Sequence, residues 1–343
     1  MARLTIAEDR RHFALNGAPF FWIGDTVWSA FTNATEAEWA EYLACRKAQG
    51  FNVLQINTLP QWDRIGPDLG LTPYPANEAG TMDLTAEPDP AWVAHAQTLL
   101  QMAVDAGFVP ALVVDWCDMV PDTWLSGIFP AHIQPLDMVE QHVRRVVTLY
   151  SRYQPVYIVS GDTDFHSETT VQYYRRTMEL LRELDPEALL TMHLAGELTD
   201  IPGGLAENLD FLMYQSGHNG LDKVDTLPKE MLARYPGKPL LNAEPCYEDM
   251  PEFGGDWNKP SAHHFTADEV LEACRRSILA GADAGITYGA NGVWNWRRSA
   301  EAFIGPGMYA DTLVWREAIH LPAAEQIAAL CPGVKEAVSG TTL

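Results

Sequence analysis

Basic residues are scarce in this chain: 23 Lys and Arg stand against 46 Asp and Glu, a formal net charge of −23 at pH 7. Nucleic acid and anionic membranes attract basic patches, so neither is an expected partner. The acidity reads as a soluble, self-repelling surface, and no acidic run is long enough to be a tail. Long apolar runs are also missing. No stretch approaches the roughly 20 apolar residues of a membrane-spanning helix. Residues 1–12 are charged and have no apolar centre, so a secretory signal is not expected. Cysteine is sparse. Cys45, Cys117, Cys246, Cys274 and Cys331 are odd in number, widely spread and without a C-x-x-C spacing. That pattern argues against a disulfide framework and a thiolate zinc site, and points to reduced thiols in a cytoplasmic protein. Several signature motifs are absent too. The turn after the first apolar strand reads Gly24-Asp25-Thr26-Val27-Trp28, not G-x-G-x-x-G. No H-x-H or H-E-x-x-H occurs, and Ser216-Gly217-His218 is not a G-x-S-x-G elbow. Neither a metal nor an organic cofactor is expected.

What remains is an alternation of strand and helix along 343 residues, 47% of them hydrophobic. Residues 4–7 and 12–15 read as a hairpin within an N-terminal segment, 1–18. Apolar strands are expected at 20–24, 52–59, 110–116, 156–162, 189–194, 209–215, 239–244 and 285–288. Helices are expected at 35–49, 91–106, 136–152, 169–184, 223–235, 266–280 and 311–318. Thr35 with Glu38 makes a capping box for the first of these. The loop 60–90 is long for a compact domain, and such loops are usually functional. Eight strands with intervening helices predict an α/β fold, a (β/α)8 TIM barrel, over 1–343 as one catalytic domain. Residues 320–343 would form a tail packed on the barrel or trailing from it.

In such a barrel the active site gathers at the C-terminal strand tips. Two tips carry a carboxylate after an apolar run. Val156-Tyr157-Ile158-Val159-Ser160-Gly161 delivers Asp162, and Pro239-Leu240-Leu241-Asn242-Ala243 delivers Glu244. Asp also caps helices well, but Ser167 and Thr169 lie nearer the next helix. Asp164 is the internal competitor of Asp162. Pro245 ends the second strand and fixes its direction. Two carboxylates facing each other are the minimum equipment for cleaving a glycosidic bond.

Other tips are polar or aromatic: Asp25 and Trp28, Asn57, Asp115 and Trp116, His193, Gln215 and His218, and the run from Tyr288 through Trp294 to Trp296. Hydrogen bonds to a polyhydroxylated ligand use such groups, and flat rings suit the apolar faces of sugars. A barrel aromatic is more often core than platform, but four tryptophans near one rim favour at least one platform. Glu248 and Asp249 read as solvated loop charges, with Glu248 also within reach of a sugar hydroxyl. His193 and His218 read as hydrogen-bonding groups at the barrel mouth, and His263 and His264 as an exposed loop.

Six segments in this order resemble the apiosidase-like proteins, glycoside hydrolase family 140. They are Phe20-Phe21-Trp22-Ile23-Gly24-Asp25-Thr26-Val27-Trp28, Gly50-Phe51-Asn52-Val53-Leu54-Gln55, Ser160-Gly161-Asp162, Gln215-Ser216-Gly217-His218, Glu244-Pro245-Cys246-Tyr247-Glu248 and Thr287-Tyr288-Gly289. The resemblance spans about residues 3–330. It implies a retaining glycosidase on a (β/α)8 barrel, with Asp162 as acid/base and Glu244 as nucleophile. Family members commonly carry an extra C-terminal β-domain and an export signal. This chain ends at Leu343 and opens without a signal, so a short oligosaccharide or glycoside is the expected substrate. An exo-acting hydrolase of a carbohydrate is the resulting expectation, with a furanoside such as an apioside among the candidates. The rivals are a sugar-binding barrel without catalysis and a metal-dependent sugar isomerase or hydrolase on the same fold. Oligomeric state is not readable.

Overall fold

A computed structural model describes residues 3–60, 69–78, 80–256, 259, 261–299 and 312–330. Strands β1 (Leu4–Ile6), β2 (Phe13–Leu15) and β3 (Ala18–Phe20) form a small antiparallel sheet. Phe20 therefore belongs to this sheet and not to the first barrel strand, as its apolar run suggested. The chain breaks at Phe21 and restarts as β4 (Trp22–Thr26).

The barrel strands follow: β4, β5 (Val53–Asn57), β6 (Val109–Trp116), β7 (Val156–Gly161), β8 (Leu190–Thr191), β9 (Leu212–Gln215), β10 (Leu240–Glu244) and β11 (Gly285–Tyr288). They form one eight-stranded sheet in the order β8-β7-β6-β5-β4-β11-β10-β9, and every recorded pairing in it is parallel. The remaining seam, β8 to β9, carries no ladder. It is bridged by the Asp210 amide donating to Leu190 O at 2.9 Å and Thr191 Oγ1 donating to Phe211 O at 3.0 Å. The (β/α)8 architecture is thus as expected, with a β8 of two residues where a longer strand was anticipated.

The helices form where caps and periodicity put them. Glu36–Ala48 starts on Thr35 with both bonds of the capping box, and Glu168–Leu184 starts on Ser167. Helix Leu136–Tyr150 buries Val139, Val143, Val146 and Val147 along one stripe. Short helices that periodicity could not show also occur, including Trp124–Ile128 after β6. The last helix is only Trp315–Ala318; position 311 and the tail from 331 lie outside the described residues. Up to residue 330 the chain packs on the barrel, with Ile327 fully buried.

The small sheet plugs one end of the barrel. Phe13 meets Phe211 edge-on at 4.9 Å and Trp22 at 6.0 Å, both at the N-terminal ends of barrel strands. Burial of one such ring contributes about 1.5–3 kcal/mol. With that end filled by apolar rings, the opposite end, where the strand tips lie, is left for a site.

Candidate active site

A pocket of about 330 Å³ opens at the C-terminal tips. Its walls come from the loops after most barrel strands. Trp28 follows β4, Trp116 ends β6, and Asp162 and Asp164 follow β7. Gln215 ends β9 and His218 follows it, Glu244 ends β10 and Tyr247 follows it, and Trp294 follows β11. The size is at the small end of the ~300–1,000 Å³ typical of small-molecule sites.

Asp162 sits one residue beyond β7 with a φ of 52°, a left-handed conformation uncommon for a residue with a side chain. Gly161 makes this turn possible. The ring of Trp116 lies directly over its Cα, where any Cβ would collide with it. The Asp162 carboxylate accepts from Gln215 Nε2 at Oδ1, and the same amide donates to Leu194 O at 2.8 Å. Burial, then the negative charge of Glu244, raises the Asp162 pKa to about 7.

Glu244 ends β10 and has the opposite environment. His218 Nε2 lies 3.1 Å from Oε1, and His193 Nε2 lies 3.4 Å from Oε2. Backbone geometry decides which ring nitrogens carry protons. The Tyr247 amide donates to His218 Nδ1 at 3.3 Å, and the Asp162 amide donates to His193 Nδ1 at 3.3 Å. Each Nδ1 is therefore an acceptor, and each ring presents Nε2–H to Glu244. The His218 contact is a hydrogen bond. His193 Nε2 lies slightly farther away, and hydrogen bonding and charge from both rings favour the ionised Glu244. Burial alone would raise the Glu244 pKa; the two histidines outweigh it and hold the group down at about 2. One ring, His193, thus touches the backbone of one acid and the carboxylate of the other.

Two buried donors at the pocket have no hydrogen-bond partner among the described residues. The Trp116 indole N–H and the Tyr247 hydroxyl are both in this state. Burial and the nearby Glu244 charge keep the Tyr247 hydroxyl protonated, well above its ordinary range. Buried unpaired donors are costly and call for an occupant with acceptor atoms. Among the described residues no group of three His, Cys, Asp or Glu side chains is arranged to hold a metal ion.

Of the residues expected at the site, Trp28, Trp116, Asp162, Gln215, His218, Glu244 and Trp294 line the pocket, and His193 stands immediately behind, edge-on to Trp28 at 5.5 Å. Others are elsewhere. Asp25 turns away from the barrel interior and pairs with Arg46 Nε at 2.5 Å and Tyr42 Oη at 2.6 Å, both on helix Glu36–Ala48. Tyr288, opposite Asp25 in the ladder, shares that face and donates to Glu248 Oε2 at 2.6 Å. Glu248 is occupied there, accepting also from the Ala323 amide at 3.0 Å. Asp115 accepts from Thr177 Oγ1 at 2.7 Å on helix Glu168–Leu184. Trp296 stacks on Trp315 at 4.7 Å. Asn57 is buried at the end of β5 and accepts from the Leu59 amide at 3.3 Å. None of these six lines the pocket; each is buried in the barrel wall or its surroundings. Conversely Trp124, Tyr247, Met250 and Phe253 line the pocket and were not singled out. Tyr247 was visible, three residues past the Glu244 tip; Trp124 lies in a connection that carries no periodic signal.

A family model, the apiosidase-like catalytic domain, matches residues 7–336. The chain belongs to this apiosidase-like family. It is a glycosidase. No curated protein matches it. Among solved structures, the apiosidase-like domain is similar to a family 5 glycoside hydrolase from Bacteroides vulgatus, at 21% identity and a TM-score of 0.75, over 96% of this chain and 71% of that one. A protein titled only glycoside hydrolase matches at 21% identity and 0.75, over 99% and 75%. An exo-β-1,4-mannosidase from an Opitutaceae bacterium matches at 16% and 0.60, over 95% and 62%. At such identities these likenesses speak for the barrel fold.

Proposed function

We propose that this glycosidase retains anomeric configuration and acts from the chain end on a short oligosaccharide or glycoside, a furanoside such as an apioside included. The observation that carries the reading is the opposed tuning of two carboxyls in one pocket: Asp162 is pushed up to about 7 and Glu244 down to about 2. Pairs of acids with divergent pKa values divide into proton donor and nucleophile.

In the first step Glu244 attacks the anomeric carbon and forms an ester bond to it. The glycosidic C–O bond breaks, and its oxygen leaves with the proton of Asp162. In the second step Asp162, now a carboxylate, takes a proton from water as the water oxygen bonds the anomeric carbon. The ester opens and Glu244 is regenerated. Trp116 Nε1–H and Tyr247 O–H are free to donate to sugar hydroxyls, and such bonds strengthen as the oxocarbenium-like transition state forms. The pocket size supports cleavage at a chain end. Membership of glycoside hydrolase family 140 is part of the same proposal.

A panel of nitrophenyl glycosides, furanosides included, tests the substrate class. NMR of the first-formed anomer tests retention, and inversion would refute it. Mass spectrometry of enzyme treated with the matching 2-fluoro glycoside should find the added sugar on Glu244.

A further inference from the structure

We propose that Gln215 is the positioning residue of the acid: its side-chain amide holds Asp162 Oδ1 as an acceptor, so the proton given to the glycosidic oxygen, and later taken from water, is carried on Oδ2. The inference rests on the hydrolytic reading above and deepens it. Asp162 is pinned along its backbone. Its amide donates to His193 Nδ1 at 3.3 Å, and its carbonyl accepts from Trp124 Nε1 at 2.8 Å. Its carboxyl is held, among the described residues, by the hydrogen bond from Gln215 Nε2. A strand-tip glutamine reads as a sugar contact in the sequence; in the fold its donor is committed to the acid.

Gln215 is the last residue of β9 and stands opposite Glu244 in the β9–β10 ladder. From the nucleophile's own ladder its side chain thus reaches the acid. Its backbone carbonyl accepts from the Glu197 amide at 2.9 Å, which fixes the base of the side chain. The far end is oriented by two acceptors. Nε2 donates to Asp162 Oδ1 and, at 2.8 Å, to Leu194 O. Leu194 is in turn bridged to Thr163, the neighbour of Asp162. The reverse orientation would set Oε1 against a carbonyl and a carboxyl. Oε1 faces Gly196 and Gly217 instead, where a Cβ on either would lie 3.8 Å away. Each amide proton therefore has its acceptor. The carbonyl-type oxygen of a protonated carboxyl is the better acceptor, so Oδ1 takes that part and Oδ2 the proton.

A neutral amide suits both halves of the reaction. It donates to Oδ1 while Asp162 is the acid, and again when Asp162 is a carboxylate facing the attacking water. In the second state the bond is charge-assisted and stronger. Gln215 therefore favours the carboxylate and opposes the rise that burial and Glu244 impose. The other titratable groups facing this carboxyl are His193 after β8, Asp164 in the same loop and Cys117 after β6.

Two leaving groups on the sugar released from the nitrophenyl panel separate positioning from mere structural support. Departure of dinitrophenolate needs no proton; departure of methoxide needs one. Gln215→Met keeps the length of the side chain and removes the amide. Its kcat/KM on the methyl glycoside should fall about ten- to a hundredfold, and on the dinitrophenyl glycoside by less than about threefold. The ratio of the two does not depend on how much of the variant folds. Equal losses on both substrates overturn the proposal. The alkaline limb, near pH 7 in the wild type, should also move up by about one pH unit, because the donor that favours the carboxylate is gone. An unmoved limb overturns it as well. A measurement on the wild type needs neither turnover nor a folded Gln215 variant. The side-chain amide signals of Gln215 in 15N–1H NMR should shift with pH around a midpoint near 7 as the carboxyl beside them ionises, and Asp162→Asn should flatten that titration. Amide signals that stay still between about pH 5 and 9, or that titrate equally in Asp162→Asn, overturn the placement. A panel with no turnover counts against the hydrolytic reading, and the NMR result still decides whether Gln215 holds the acid.

Discussion

At the scale of single residues, the site works by giving two similar side chains different surroundings. Asp162 gains one amide donor and lies near another negative charge; Glu244 faces two imidazole N–H groups. Rate against pH should therefore fall on the alkaline side near pH 7, where Asp162 loses its proton. Asp162→Asn should remove that limb; a profile unchanged in the variant would take Asp162 out of the acid role. The same shift predicts a stability effect of definite sign. The folded pKa lies above the unfolded one, near 3.8, so the folded state holds its proton more tightly. Stability attributable to this group is present below about pH 4 and is lost as pH rises towards about 7. Asp162→Asn, which cannot ionise, should melt higher than wild type at pH 8, by an amount on the order of 1 kcal/mol or more, and the gap should close towards pH 4. Melting curves across that range check it. His218→Phe removes the better donor to Glu244. Its acid limb should move up from about 2 towards the ordinary carboxylate range, and kcat should drop about tenfold to a hundredfold. Loss of rate with no movement of the acid limb would mean that His218 serves only the loop around Tyr247.

At the scale of elements, Asp25 shows why a strand tip is not yet a site. Its carboxylate, with Arg46, is fully buried between β4 and helix Glu36–Ala48. Removing one member of such a pair leaves the other buried and unpaired, at a cost of about 3–5 kcal/mol. Asp25→Ala should accordingly unfold at much lower denaturant, while activity per folded molecule stays near wild type. A stable variant with lost activity would return Asp25 to the pocket. The strand itself was legible, and so was the polar residue at its tip. The face was not. Barrel strands are buried on both sides, so β4, β5, β6 and β7 are buried at every position and show no alternation from which to read inside and outside. Asp162 and Glu244 escaped this ambiguity because they stand at or past the last strand residue, where the chain turns over the barrel mouth. His193 and His218 were legible as site residues but not in their task, since a contact with Glu244 rather than with sugar depends on where separate strands end. Trp124 was invisible because a five-residue helix has too few turns to show a period.

At the scale of the whole molecule, the barrel has one weak seam, and it runs under the site. Seven strand pairs are joined by ladders, and β8 to β9 is not. Asp210 does much of the closing. Its amide donates to Leu190 O at 2.9 Å, its carboxylate accepts from the Leu190 amide at 2.7 Å, and Arg182 pairs with it at 2.5 Å. Above this seam stand His193, just after β8, and Gln215, the last residue of β9. One contacts Glu244 and the other Asp162, so opening the seam would separate the two acids' supports. Asp210→Ala should cost about 1–3 kcal/mol by leaving the Leu190 amide unsatisfied. Asp210→Asn, which keeps an acceptor oxygen, should cost less. In the Ala variant, amides of 190–194 and 212–215 should exchange faster than those of β5 and β6, because local opening precedes global unfolding. On heating, activity should then fall before the global melt. If exchange speeds up evenly over all strands, or if activity and fold are lost together, the seam is no weaker than the ladders and Asp210 is an ordinary surface ion pair.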